Sequence, residues 1–315
     1  MSLSAVKGGV QKGQGSVSMV ERTEQFVLAQ LTRLRKSWKG EGACPPLVIG
    51  VQGPQGAGKS YLTNLLPAHL AERHSLRLAT MSLDDFYLPH SQLSQLASSR
   101  PGNPLLQGRG PAGTHDLPLL RGCLEGLREI NSGGAKVVQL PTYDKSLVSG
   151  QGDRTEKTVP VQGPIDVVIF EGWMNGFASL SQSELEERYA SAEVDQAGGK
   201  PSTFRSYTLE TLSEINRSLK EYEENAWRHI DCFVQIQPLQ LDYVWTWRLQ
   251  QEHHMKSQNG GIGMTDEEVR AFIQRYMPSY ELFQFGIDKQ TAPWSGKGLR
   301  YIVDIGRNIV DVEDF

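Results

Sequence analysis

The chain has 315 residues, a formal net charge of −4 and a pI near 6.0. That length buries a full core as one domain or two small ones, and the slight acid excess argues against nucleic acid as the main partner. Three scattered cysteines, Cys44, Cys123 and Cys232, form no C-x-x-C pair and suit a reducing, cytoplasmic setting without a zinc ribbon. No apolar run approaches the ~20 residues of a membrane span.

Residues 1–18 are rich in Gly, Ser, Lys and Gln and are expected to form a disordered tail. Lys7 and Lys12, with no acid before Glu21, leave a weak organelle-targeting reading beside it. Phe26, Val27, Leu31 and Leu34 recur at helical spacing, which predicts a helix over 21–38. An apolar strand, 47–52, then runs into Gly53-Pro54-Gln55-Gly56-Ala57-Gly58-Lys59-Ser60, which matches the phosphate-binding pattern G-x-x-x-x-G-K-[ST]. The glycines permit backbone N–H groups to converge on phosphate oxygens. The helix that follows presents its unpaired N–H groups and positive dipole end to the same anion. Lys59 is expected to reach the β- and γ-phosphates and Ser60 to ligate Mg²⁺, and Tyr61 completes the nucleotide-binding run.

A second strand is expected over 76–83, ending at Asp84-Asp85-Phe86-Tyr87. Residues 88–115 read as a long loop-rich passage because Pro and Gly recur through it. A helix over 117–130, a strand over 135–140, a short strand at 159–161 and a buried strand over 165–170 follow. The polar stretch near 181–205 reads as a surface insertion. Helices over 209–227 and 239–255 flank a buried strand at 230–236. Gly260, Gly261 and Gly263 break the chain and give hinge freedom to a lid at about 244–265. Thr265-Asp266-Glu267-Glu268 is a capping box opening a helix through about Phe283, and 299–305 is a last strand. Alternating strands and helices imply a mostly parallel sheet covered on both faces, with ligands bound beyond the carboxyl ends of the strands.

The candidate chemistry sits at those strand ends. Glu171 closes an apolar strand where P-loop enzymes place the acid that orients Mg²⁺. Asp84 and Asp85 offer a carboxylate to accept a hydroxyl proton, and a strand continuing through both would face only one of them inward. Asp116 precedes a helix and is either a substrate ligand or an N-cap. Arg248 is either a phosphate-reaching lid residue or a solvated arginine. Arg100 and Arg109 offer planar forks for a carboxylate, with the alternative that an arginine in such a loop only pins it. His253-His254 is no metal signal, since adjacent helical residues diverge by about 100°.

Together these segments resemble a known family. The P-loop, Ser82-Leu83-Asp84-Asp85-Phe86-Tyr87-Leu88, Asn103-Pro104-Leu105-Leu106-Gln107-Gly108-Arg109-Gly110 with Gly113-Thr114-His115-Asp116, Pro141-Thr142-Tyr143-Asp144-Lys145-Ser146, Phe170-Glu171-Gly172-Trp173-Met174 and Tyr243-Val244-Trp245-Thr246-Trp247-Arg248-Leu249-Gln250 occur in the order seen in D-glycerate 3-kinases. They are most similar to a fungal branch described as ATP-dependent kinases. The resemblance spans about Leu47 to Tyr280, and the segments at 82–88, 103–116 and 243–250 are far more specific than the P-loop. It implies an α/β P-loop sandwich of three layers with a mostly parallel sheet and helical lid, related to phosphoribulokinase, uridine kinase and pantothenate kinase. It further implies ATP and Mg²⁺ as cofactors, a small metabolite as partner, and a single kinase domain over 19–315. Asp84 matches the proposed base of those relatives and so ranks above Asp85. Asp85, Tyr87, Arg109, His115, Asp116 and Tyr143 are the candidates to line the acceptor pocket, with Lys59, Asp84 and Arg248 as catalytic residues. The expected function is phosphorylation of a metabolite hydroxyl, D-glycerate foremost. A different alcohol, such as a nucleoside or pantothenate-like compound, and a switch NTPase without an acceptor are the rivals.

Overall fold

The computed structural model describes residues 17–191, 202–258 and 260–315. The expected tail falls outside the described residues up to position 16, as do 192–201 of the 181–205 stretch. In chain order the elements are α1 (Met19–Ser37), β1 (Leu47–Gln52), α2 (Lys59–His74), β2 (Leu78–Ser82), a 3₁₀ turn at Leu83–Phe86, α3 (His90–Ser99) and α4 (Leu117–Arg128). They continue with β3 (Val137–Asp144), β4 (Asp153–Gln162), β5 (Val167–Gly172), α5 (Gln182–Ser191), α6 (Leu209–Asn225), β6 (Cys232–Pro238) and α7 (Tyr243–Gln258). The last are α8 (Asp266–Gln274), α9 (Met277–Phe283), β7 (Gly298–Val303) and β8 (Ile309–Asp314).

The main sheet runs β2-β5-β1-β6-β7-β8, parallel except for β8, which pairs antiparallel with β7. Its central strands are apolar on both faces, as a sheet covered twice requires. Side chains alternate along a strand. Val48, Val168 and Phe170 enter one core with Leu120, Leu124, Leu212, Ile215 and Leu282 of the helices on that side. Ile49, Val51, Val167 and Ile169 enter the other with Val27, Leu31, Leu62, Leu66 and Trp247. Each such fully buried aliphatic or aromatic side chain contributes about 1.5–3 kcal/mol. Among the described residues no helix is long and apolar enough to cross a membrane.

Several elements differ from the sequence expectation. The second strand ends at Ser82, and Asp84 and Asp85 lie in the 3₁₀ turn, where the Ser82 Oγ caps the Asp84 N–H at 3.3 Å. The passage at 88–115 contains α3, whose single fully buried residue, Leu93, leaves too narrow an apolar stripe to outweigh the Pro and Gly that follow. The strand expected to stop before Pro141 runs on to Asp144 as half of a two-stranded antiparallel ribbon with β4. Proline is tolerated there because a ribbon has open edges. Strand β4 is mostly exposed and polar, which hid all but its 159–161 core. The helix expected through Phe283 breaks into α8 and α9 around Arg275 and Tyr276, with Pro278 in the first turn of α9. The edge strand β8 was not foreseen. The capping box is present: the Thr265 Oγ accepts from the Glu268 N–H at 3.2 Å and the Glu268 carboxylate accepts from the Thr265 N–H at 2.7 Å.

Candidate active site

The P-loop joins β1 to α2. Gly56 has φ +79° and Gly58, the N-cap of α2, has φ +105°, both in the region that favours glycine. A Cβ on Gly56 would lie 2.5 Å from the Trp247 Cβ, so α7 packs directly on the loop. The Lys59 Nζ donates to the carbonyls of Gly53 at 2.7 Å and Pro54 at 3.2 Å. Burial pulls the Lys59 ammonium below its ordinary pKa, against the charges of Glu171 and Asp84, which raise it. The charges of those two acids thus reach the P-loop lysine. Gln55 accepts from the Tyr280 hydroxyl at 2.6 Å, while Tyr61 turns outward and is 64 % exposed. Arg307, from the β7–β8 turn, donates to the Gly56 carbonyl at 2.7 Å and stacks over Trp247.

Register brings the acids to the loop. Glu171 pairs with Val51 on one side and Ser82 on the other, one residue before β1 ends at Gln52 and two before the P-loop begins at Gly53. The Ser82 hydroxyl donates to the Glu171 Oε1 at 2.7 Å, whereas Oε2 is buried without a partner. The Asp84 Oδ1 is likewise buried and unpartnered, and Oδ2 accepts from the Lys145 Nζ at 2.6 Å. Burial alone would raise the Asp84 carboxyl, but the charge and hydrogen bond of Lys145 outweigh it and hold the carboxyl low. Asp85 points elsewhere. Its Oδ1 accepts from the Tyr143 N–H at 3.2 Å, and burial together with the Asp84 charge pushes its carboxyl up.

Beyond Asp84 lies a wall of aromatic rings. Tyr87 stacks on His115 at 4.2 Å between centroids and meets Tyr143 edge-on at 5.4 Å. A bridge between Tyr87 and His115 joins the two segments by backbone. The His115 Nδ1 lies 2.7 Å from the Tyr222 hydroxyl, and its Nε2 is buried without a partner, as is the Tyr143 hydroxyl. Burial drives the His115 pKa down to about 3, although the Asp84 charge opposes the shift. The imidazole is neutral at physiological pH.

Four of the expected candidates have other partners. Asp116 caps α4, its Oδ1 accepting from the Leu119 N–H at 3.1 Å, and its Oδ2 pairs with the Arg154 Nη1 at 2.9 Å. Both oxygens are thus engaged in structure. Arg109 donates through Nη1 to the carbonyls of Gly150 and Gln151 and lies over the Tyr143 ring, so it holds the turn after β3. Arg248 pairs with the buried Glu252 one helical turn on at 2.8 Å and lies 5.4 Å from the Phe272 ring centroid of α8. Glu252 also accepts from the Met264 N–H at 2.8 Å, which ties α7 to the start of α8. Arg100 pairs with Glu214 of α6.

Sequence reasoning passed over Ser82, Lys145, Arg154 and Arg275. Lys145 lies within the family motif that carries Tyr143, so its signal was present and unused. Arg275 donates to the carbonyls of Leu105 at 3.1 Å and Gly108 at 3.0 Å, clamping the Asn103–Gly110 loop from α8. Nothing local in the sequence marks that pairing.

The site fits a divalent cation. Among the described residues no three His, Cys, Asp or Glu side chains are grouped to hold a metal alone. A Mg²⁺ in a phosphate site commonly takes one or two protein ligands and fills the rest with phosphate and water, and the unpartnered Glu171 Oε2 is an oxygen of that kind.

No family model matches the chain. A solved D-glycerate 3-kinase from Cryptococcus neoformans is 61 % identical, with a TM-score of 0.89 over 95 % of this chain and 99 % of that one. A kinase of Schizosaccharomyces pombe, mug58, is 38 % identical over 253 residues, covering 79 % of this chain and 84 % of the relative. The chloroplastic D-glycerate 3-kinase of Arabidopsis thaliana is 37 % identical over 257 residues, 81 % of this chain, which spans about half (51 %) of that longer protein. A P-loop whose lysine is reached by the charges of two acids, in a chain with this similarity over nearly its full length, is shared ancestry rather than a shared motif. The chain belongs to the D-glycerate 3-kinase-like family of P-loop kinases.

Proposed function

We propose that this kinase uses ATP and Mg²⁺ to phosphorylate a hydroxyl of D-glycerate. The observation that carries the reading is the Asp84 carboxylate, whose charge acts on the P-loop lysine and whose Oδ1 is buried without a hydrogen-bond partner. In this reading Gly53–Ser60 cradle the triphosphate, and Lys59 neutralises charge that builds on the β- and γ-phosphates. Ser60 and Glu171 hold Mg²⁺, which supplies further neutralisation of the phosphates when bound. The acceptor hydroxyl donates its proton to the Asp84 Oδ1 as its oxygen attacks the γ-phosphorus. The bond from that phosphorus to the bridging oxygen breaks, and ADP leaves with the electron pair.

His115 through Nε2 and Tyr143 through its hydroxyl bind the acceptor's polar groups, with Tyr87 as an apolar wall. Asp85, Asp116 and Arg109 support this pocket by holding Tyr143, α4 and the turn after β3. Arg248 acts through its pair with Glu252, which ties α7 to the start of α8 beside the P-loop. The free thiols of Cys44, Cys123 and Cys232 support a reducing, cytoplasmic setting, and the acid excess supports a partner other than nucleic acid. The test is ADP release from MgATP with D-glycerate, glycerol, uridine and pantothenate in turn. D-Glycerate is expected to stimulate it most. Preference for a nucleoside or pantothenate moves the enzyme to a rival kinase class, and slow hydrolysis indifferent to every acceptor makes it a switch.

A further inference from the structure

The ion pair between Lys145 and Asp84 has an unusual partner for a base. An ammonium 2.6 Å from a carboxylate makes that carboxylate a poor proton acceptor. Yet Asp84 is the carboxylate that the proposed reaction needs as a base. The pair is also easy to exchange. The Lys145 side chain is 57 % exposed, whereas the turn beneath it is pinned. Asp144 accepts from the Ser146 N–H at 2.8 Å and hydroxyl at 2.6 Å, and Arg109 holds the carbonyls of Gly150 and Gln151. The backbone is therefore fixed, while a flexible four-carbon stem carries the charge. The other cations near the pocket have structural partners. Arg109 holds carbonyls, Arg154 holds Asp116 and the Tyr87 carbonyl, and Arg248 holds Glu252.

We infer that Lys145 is the specificity-determining cation of the acceptor site: the carboxylate of an acidic acceptor takes the Lys145 ammonium from Asp84, and the exchange frees Asp84 to accept the hydroxyl proton. This rests on the reading that the acceptor is D-glycerate, and it adds how the enzyme distinguishes an acid from a neutral alcohol. One carboxylate replaces another on the ammonium, so the ion pair is kept, while the acceptor brings one further negative charge into the site and leaves Asp84 ionised and unpaired. A neutral alcohol offers no replacement and leaves Asp84 paired. Acid selectivity then acts on the chemical step as well as on binding.

The test compares kcat and KM for D-glycerate and for glycerol, its uncharged counterpart, in the wild type, Lys145→Met and Lys145→Arg. In Lys145→Met, kcat/KM for D-glycerate is expected to fall by about 10- to 100-fold, the usual range for losing a hydrogen bond to a charged group. For glycerol kcat is expected to hold or rise, because Asp84 no longer carries an ammonium. KM for ATP should stay the same, and Lys145→Arg should restore part of the preference for the acid. Equal losses on both acceptors would assign Lys145 to the phosphates or to structure and overturn the inference, as would a preference for D-glycerate that survives in Lys145→Met. A wild type that does not favour D-glycerate over glycerol overturns the substrate reading itself. If Lys145→Met does not fold, the ratio in Lys145→Arg and Lys145→Gln decides between the same outcomes.

Discussion

The nucleotide side of the site is eight consecutive residues, Gly53–Ser60, held between one strand and one helix. The proposed acceptor side gathers Asp84, Tyr87, His115, Tyr143 and Lys145 from three separate stretches, joined by the Tyr87–His115 bridge, the Asp85–Tyr143 hydrogen bond and the Lys145–Asp84 pair. The first side works through backbone N–H groups, whose directions follow from local φ/ψ. The second works through side chains whose directions depend on distant partners. Phosphate recognition can therefore stay the same across many kinases while acceptor choice changes by moving a few side chains.

The largest expected effect tests whether the two adjacent acids of the 3₁₀ turn, Asp84 and Asp85, have separate roles. Asp84→Asn should lower kcat by about 10²–10⁴-fold, the range for losing a general base, with KM for ATP little changed. Asp85→Asn should do far less, because an amide oxygen still accepts the Tyr143 N–H. Reversed ranks in steady-state kinetics would place the base on the wrong side of the turn.

Lys59→Met probes the other side. Losing one charge-stabilising donor costs about 10²–10³-fold in kcat, and the effect should be equal for every acceptor, unlike that of Lys145. A folded Lys59→Met enzyme with near-normal turnover would remove the P-loop from the chemistry.

The pH dependence of stability sharpens the contrast further, because the acceptor side buries a neutral imidazole and the P-loop contains none. His115 titrates near 3 when folded and near its ordinary 6.5 when unfolded. The unfolded chain binds the proton first, so this group leaves stability unaffected above about 6.5 and lowers it progressively as pH falls toward 3. Denaturant midpoints measured across that window should show a slope that shrinks in His115→Gln. Matching slopes in both proteins would mean that His115 is not buried neutral.

The smallest expected effect separates support from binding. Asp116→Ala should cost about 1 kcal/mol through the lost N-cap, and somewhat more through the unpaired Arg154, while KM for the acceptor holds. A rise in KM that exceeds the loss in thermal stability would return Asp116 to the list of substrate ligands.

Much of this was legible from the sequence where neighbours along the chain set the outcome. β1 and β5 are short, β-branched and apolar, so they read as strands buried on both faces. Thr265–Glu268 form their capping box from residues three apart. Elements stabilised from a distance were less clear. Helix α3 buries one leucine fully, and β4 is polar along most of its length. Strand β8 exists because β7 offers it an edge, and its own residues, Ile309 to Asp314, are half charged.

The sequence by itself determined the P-loop, the strand-end acids and, through its ordered motifs, the kinase family. Only the tertiary structure decided which polar groups are already engaged. Asp116 and Arg109 have the residue types of substrate ligands, but a helix terminus, Arg154 and a pair of turn carbonyls occupy them. Lys145 is an ordinary lysine in the sequence, and the fold of the β3–β4 ribbon carries its ammonium to Asp84 across sixty-one positions of chain. The physical reason is one of range. Backbone conformation follows from a few adjacent residues, whereas the partner of a long charged side chain is set by whatever the packed core brings within 3 Å or so of its tip.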